Sequence, residues 1–257
     1  MKKKQQKCSA CLAVIVCLPF VFGSWVFSDY GEAKSIHSAD NGLAGISQVR
    51  RMLRTACNKL KTIDSQVESR AVLLQESAVE SRQALILWQE FRRFYPESAP
   101  AAYGQNTNWS RSADDIEQSI QQMIAANLNG DAKKAFTSCG ETCQKFVAMN
   151  EQAGIELTTD ILFQFRKTAK LLMATLREND PAKIDPVVKT LLSLRDHALT
   201  DPVEGTGAPV KNQQALKAFS GEVDAFAASI QSADRNALSQ RYGNMMSAME
   251  VAYDLYL

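Results

Sequence analysis

Between Gly45 and Tyr95 the chain carries neither proline nor glycine, and its apolar residues return at steps of three and four: Val49, Met52, Leu53, Cys57, Leu60, Ile63, Val67. Such spacing lays one apolar stripe along a helix. After residue 33 no stretch alternates with the period of two that a half-buried strand would show, so the fold class is all-α. The run is too long for one helix of a small bundle. A turn is therefore expected within it, near Glu76-Ser77-Ala78.

A second helix should carry Leu85, Trp88, Phe91 and Tyr95 on one face, and Pro96 to Asn108 reads as a long loop. A third, capped by Ser110 or Ser112, carries Ile116, Ile120, Met123 and Ile124; Asn129-Gly130 closes it. Asp131 opens a fourth, which runs through Cys139 and Cys143 to about Gln152, ahead of Gly154. A fifth starts at Thr158 to Asp160 and ends at Asn179-Asp180-Pro181, and a sixth spans about Asp185 to Leu199. After a second long loop, Asp201 to Lys211, helices follow from Gln213 to Ser232 and from Asp234 to the end.

Sliding the chain on itself by 103 residues brings Gly130-Asp131 onto Ala233-Asp234, Gly140 onto Gly243, Ile120 onto Val223 and Trp88 onto Leu191, with the two long loops in register. The expectation is two up-down-up-down four-helix bundles in series, residues 34–155 and 156–257.

Composition adds an address. Met1-Lys2-Lys3-Lys4 with Lys7 forms a positive segment, Cys11 to Phe27 is apolar, and Gly31-Glu32-Ala33 offers small residues for cleavage, which reads as a signal peptide of residues 1–33. The apolar run is near the lower length limit of a membrane span, so an uncleaved anchor is the alternative. Without that segment 25 basic residues face 26 acidic ones, and this balance gives no electrostatic reason to expect nucleic acid or an anionic membrane surface as partner. An exported chain meets an oxidising compartment, here read as the periplasm, with Cys57, Cys139 and Cys143 as its cysteines.

The stretch Cys139-Gly140-Glu141-Thr142-Cys143-Gln144-Lys145-Phe146-Val147, with Trp88-Gln89-Glu90-Phe91 and Asn129-Gly130-Asp131, resembles the cytochrome c-prime family. The second half, ending Val251-Ala252-Tyr253-Asp254-Leu255-Tyr256, is similar to the soluble four-helix b-type cytochromes. Both resemblances imply four-helix bundles that hold haem and carry electrons. The ligands they imply are missing. Laid on the c-prime pattern, Cys143 takes the first thioether position, Phe146 the second cysteine and Val147 the iron-binding histidine. In the second half the methionine and histidine ligands fall on about Phe165 and on Asp254. The chain thus reads as a degenerate tandem copy without haem ligands, and no cofactor is expected.

His37 and His197 are the two histidines of the chain. A haem held by His197 with a methionine such as Met249 is the weak alternative. Cys139 and Cys143 stand one helical turn apart, with Phe136 and Phe146 extending their stripe and Asn150 ending it. A disulfide from Cys57 to Cys139 or to Cys143 would close a long loop. Thiolates at this spacing, with Cys57 as a third ligand, would alternatively suit copper or zinc. Met245, Met246 and Met249 read as gap-filling core. No nucleophile motif or phosphate loop is present, so the chain is expected to be a binding or structural module rather than an enzyme, with partners met by helix faces or by the two long loops.

Overall fold

The structure is a computed structural model that describes residues 42–63, 67–178, 180–200, 210–230 and 235–257. The signal segment, His37, Asn179, Ala233-Asp234 and most of the second long loop lie outside these residues. Those described are all-α: α1 (Gly42–Lys61), α2 (Arg70–Phe94), α3 (Trp109–Leu128), α4 (Ala132–Gln152), α5 (Thr158–Glu178), α6 (Pro181–Thr200), α7 (Val210–Ile230) and α8 (Arg235–Tyr256), with short 3-10 turns at Val67–Ser69 and Ala101–Tyr103. None of the described helices is long and apolar enough to cross a membrane.

Helix ends follow local chemistry. Asp131 caps α4 by accepting from the Lys134 amide at 2.9 Å. Gly130 takes the left-handed conformation (φ 74°) that closes α3, and Gly154 (φ 67°) does the same after α4. Two expected boundaries move. The break between the first two helices falls at Thr62 to Ser69, whereas Glu76-Ser77-Ala78 lies inside α2. Ser77 and Ala78 are buried there, and the Ser77 hydroxyl accepts from Asn127 Nδ2 of α3 at 3.1 Å. Small polar residues that look like a turn are a close-packed contact. Likewise α3 begins at Trp109 behind Asn108, ahead of both serines, because the Trp109 indole is anchored to the Tyr95 carbonyl at 3.0 Å. Helix α6 begins at Pro181, earlier than Asp185; a proline at the first helical position forfeits an N–H that has no partner there anyway.

Helices α1 to α4 pack in a ring, each on the next and α4 back on α1; α5 to α8 do the same. Each set surrounds its own hydrophobic cluster. The first is centred on Trp88, Phe91, Trp109, Phe146 and Met149, the second on Phe165, Phe219, Phe226, Met245 and Met249. Pairs related by the 103-residue offset share burial: Ile120 with Val223, Met123 with Phe226, Trp88 with Leu191. The offset holds for the starts of α7 and α8 to within two residues, but α5 starts well past the position it assigns. The connection between α1 and α2 is long and that between α5 and α6 short, so the register slips in the first pair.

Candidate functional site

The candidate site lies along α1 and α4, where the two clusters meet. On α4 the stripe splits. Phe146 faces the first cluster, edge-on to Trp88 with ring centroids 5.5 Å apart, while the next residue, Val147, is buried in the second. Consecutive helical residues point about 100° apart, so a helix with a core on two sides buries both. Phe136, expected to extend the cysteine stripe, is 40% exposed, and Asn150, the polar residue at its end, is fully buried.

Cys57 and Cys139 form a disulfide, with Cα atoms 6.0 Å apart, between α1 and α4. Cys143 stays a free, partly buried thiol. While that bond stands, two of the three sulfurs proposed for a metal are unavailable. Among the described residues no three His, Cys, Asp or Glu side chains group as a metal site requires. The disulfide, Cys143, Phe146 and the guanidinium groups of Arg50, Arg54 and Arg166 border a cavity of about 20 Å³, room for about one water molecule. Burial pushes the Cys143 thiol up, and the pull of Arg50, Arg166 and Arg54 toward the thiolate does not overcome it. Burial thus favours the protonated thiol over the thiolate.

Around this point runs a buried polar chain that pattern reading missed. Arg50 Nη2 donates to Asp160 Oδ1 at 2.6 Å, Asn150 Nδ2 donates to Asp160 Oδ2 at 2.6 Å, and the Tyr103 hydroxyl donates to Asn150 Oδ1 at 2.7 Å. The Arg50 guanidinium shares its small cavity with Tyr253 of α8. Both carboxylate oxygens of Asp160 and both ends of the Asn150 amide are thereby used, the condition for burying such groups. Burial works against the charge on Arg50, but Tyr253 and Asp160 outweigh it and hold the pKa above the ordinary value. Burial likewise raises the pKa of Tyr103 and of Tyr253. One signal was available in advance: Arg50 sits within the apolar stripe of Ile46, Val49 and Leu53, where an unpaired charge would not be stable.

Outside this chain, α1 and α8 meet through opposite charges. Arg54 Nε donates to Asp254 at 2.6 Å, Lys61 Nζ to Glu250 at 2.6 Å, and Arg51 Nε to the Leu257 carbonyl at 2.7 Å. Asp254, aligned with a haem histidine, is thus turned toward α1 rather than into the second cluster. Phe165, aligned with the methionine ligand, packs edge-on to Phe219. His197 and Met249 lie in different surroundings. His197 borders a surface cleft with Nε2 3.1 Å from Glu156, whereas Met249 is buried in the second cluster.

The first long loop is pinned inward. Tyr103 is fully buried, and Asn106 is buried with its amide directed at the Met149 carbonyl at 3.4 Å. The centre of that loop is therefore taken up by the fold. Compared with known proteins, the chain matches no protein family, no curated protein and no solved structure.

Proposed function

We propose that this is an exported, periplasmic protein made of two cytochrome-like four-helix bundles in series, with residues 1–33 as its signal peptide. It carries no haem and works as a binding or structural module rather than an enzyme. The observation that carries the reading is the filling of the ligand positions: Phe146 is built into an aromatic cluster with Trp88, and Val147 into the neighbouring core. The space left beside Phe146 and Cys143 is about 20 Å³, against the roughly 300–1,000 Å³ of an organic ligand site. Further support comes from the disulfide, which matches the oxidising compartment that an export signal implies.

A visible absorption spectrum of the chain purified from its native compartment, read together with elemental analysis, tests the proposal. The expected result is protein absorbance alone, without a Soret band and without stoichiometric copper, zinc or iron. One haem per chain would overturn it in favour of an electron carrier with unusual ligation.

A further inference from the structure

The last turn of α1, the first residue of α2 and the first turns of α4 border a cleft of about 510 Å³, within the range of small-molecule sites. Its floor is apolar, since Leu60, Ile63 and Ala132 line it and all three are buried. Phe136 stands on its border, 40% exposed, on a helix whose other large apolar residues, Phe146, Val147 and Met149, are fully buried. An aromatic ring left open beside an apolar hollow and rimmed by polar groups is surface that a ligand can cover.

The charge around this floor has one sign. Lys61, Arg70 and Lys133 line the cleft, and among the described residues no carboxylate does. Lys61 is answered by Glu250 at 2.6 Å. The Asp131 carboxylate, next in sequence to the lining, accepts from the Lys134 amide that it caps. Arg70 and Lys133, one from each of two helices, are left without an acid among the residues of the cleft. Ala132 and Lys133 open α4, so the positive end of that helix dipole adds to the two cations. With 29 basic and 28 acidic residues the chain as a whole is nearly neutral, so the sign belongs to this cleft and not to the surface at large. A cleft lined by one sign of charge over a floor of low polarity concentrates its field on an ion of the other sign. The Thr137 hydroxyl, also on the lining, supplies a further donor.

We propose that this cleft binds a small amphiphilic anion. Its aliphatic or aromatic body rests on Leu60, Ile63 and Phe136, and its carboxylate or phosphate head is held by Arg70 and Lys133. This gives the binding-module reading a class of ligand. The site shares no residue with the positions aligned to haem ligands, Phe146, Val147, Phe165 and Asp254, so it does not depend on whether haem is bound.

Fluorescence titration of the full chain with 8-anilinonaphthalene-1-sulfonate tests the proposal, beside N-phenyl-1-naphthylamine, which has the same rings without the sulfonate. One sulfonate should bind per chain, at least about tenfold tighter than the neutral compound. Arg70→Glu with Lys133→Glu should weaken the sulfonate at least about tenfold and leave the neutral compound within about twofold. Phe136→Ser should weaken both. These three positions are exposed, so circular dichroism should show the variants folded, and Arg70→Gln with Lys133→Gln, which removes the charges without reversing them, should act in the same direction. Octanoate or octyl phosphate should displace the sulfonate, the more effective of the two giving the head group, and octanol should not. No bound sulfonate up to about 1 mM, where even a weak site fills, would overturn the proposal. So would equal affinity for the two ring compounds, displacement by octanol as readily as by the anions, or sulfonate binding indifferent to the substitutions. A failed titration would leave the haem-free reading standing, and a Soret band would reject that reading while leaving the charge-reversal result unchanged.

Discussion

The Arg50 guanidinium on α1 and the Asp160 carboxylate in the first turn of α5 are 2.6 Å apart, both buried, and separated by 110 residues of chain. Their bond joins the N-terminal helix of the first cluster to the first helix of the second. A buried pair of this kind adds little net stability compared with apolar residues, but removing one partner strands the other charge. Arg50→Met or Asp160→Ala alone should therefore cost about 3–5 kcal/mol. Arg50→Met with Asp160→Asn, which removes both charges and keeps the Asn150 contact, should recover a large share. Urea denaturation of the four proteins measures this; equal, additive losses would show that the charges are not coupled.

The Cys57–Cys139 bond spans 82 residues. In the chain-entropy picture such a loop stabilises by about 4 kcal/mol, which for a chain of this size moves Tm by on the order of 10 °C. Cys57→Ser with Cys139→Ser should show that drop and lose all response to dithiothreitol. A wild-type Tm unchanged by reductant would contradict it.

Cys143 should react slowly in the native protein, because burial keeps its thiol protonated. Alkylation at pH 8 followed by peptide mapping should leave Cys143 unmodified in the native state and modify it fully after unfolding. Rapid native labelling would show an accessible thiolate.

Tyr103 predicts a pH effect. Its pKa is raised by burial above the ordinary 10.0, so the folded state keeps the phenol proton that the unfolded chain gives up. The stabilisation is fully present below about pH 10 and declines as pH rises toward the folded value. Tyr103→Phe removes this proton together with the bond to Asn150, at a cost of about 1 kcal/mol at pH 7. The difference in stability between wild type and variant should shrink between pH 9 and pH 11, while other titrating groups cancel. A constant difference would mean Tyr103 ionises alike in both states.

Three helical glycines separate backbone cost from packing. A Cβ at Gly140 or Gly243 would meet nothing within 4 Å, whereas one at Gly45 would come within 2.9 Å of the Phe91 ring. Gly140→Ala and Gly243→Ala should each stabilise by roughly 0.5–1 kcal/mol. Gly45→Ala should lose that gain or reverse it, because Phe91 has to shift. Thermal melts of the three variants decide the order.

Much of this was readable from local signals. The Asn129-Gly130-Asp131 junction, the ends of α4 and α5 and the buried faces around Trp88, Ile120 and Met123 all follow from caps, left-handed glycines and a 3.6-residue period. Each of these acts within a few residues of itself. The turn expected at Glu76-Ser77-Ala78 failed because a small polar residue marks either a chain reversal or a close helix contact, and only Asn127 across the gap tells which. The actual break, just beyond Thr62, carries neither glycine nor proline to mark it.

By itself the sequence determined the all-α class and the helical stripes, and it put Cys57 within reach of the α4 cysteines as one of the readings open to it. Tertiary structure alone decided that Cys139 takes the bond and Cys143 keeps its thiol, and that Phe146 and Val147 belong to different cores. It alone closed the chain from Arg50 through Asp160 and Asn150 to Tyr103. The reason is physical: periodicity says which face of a helix is apolar, but how two helices cross, and what packs on the far side of α4, is settled by the fit of surfaces distant in the chain.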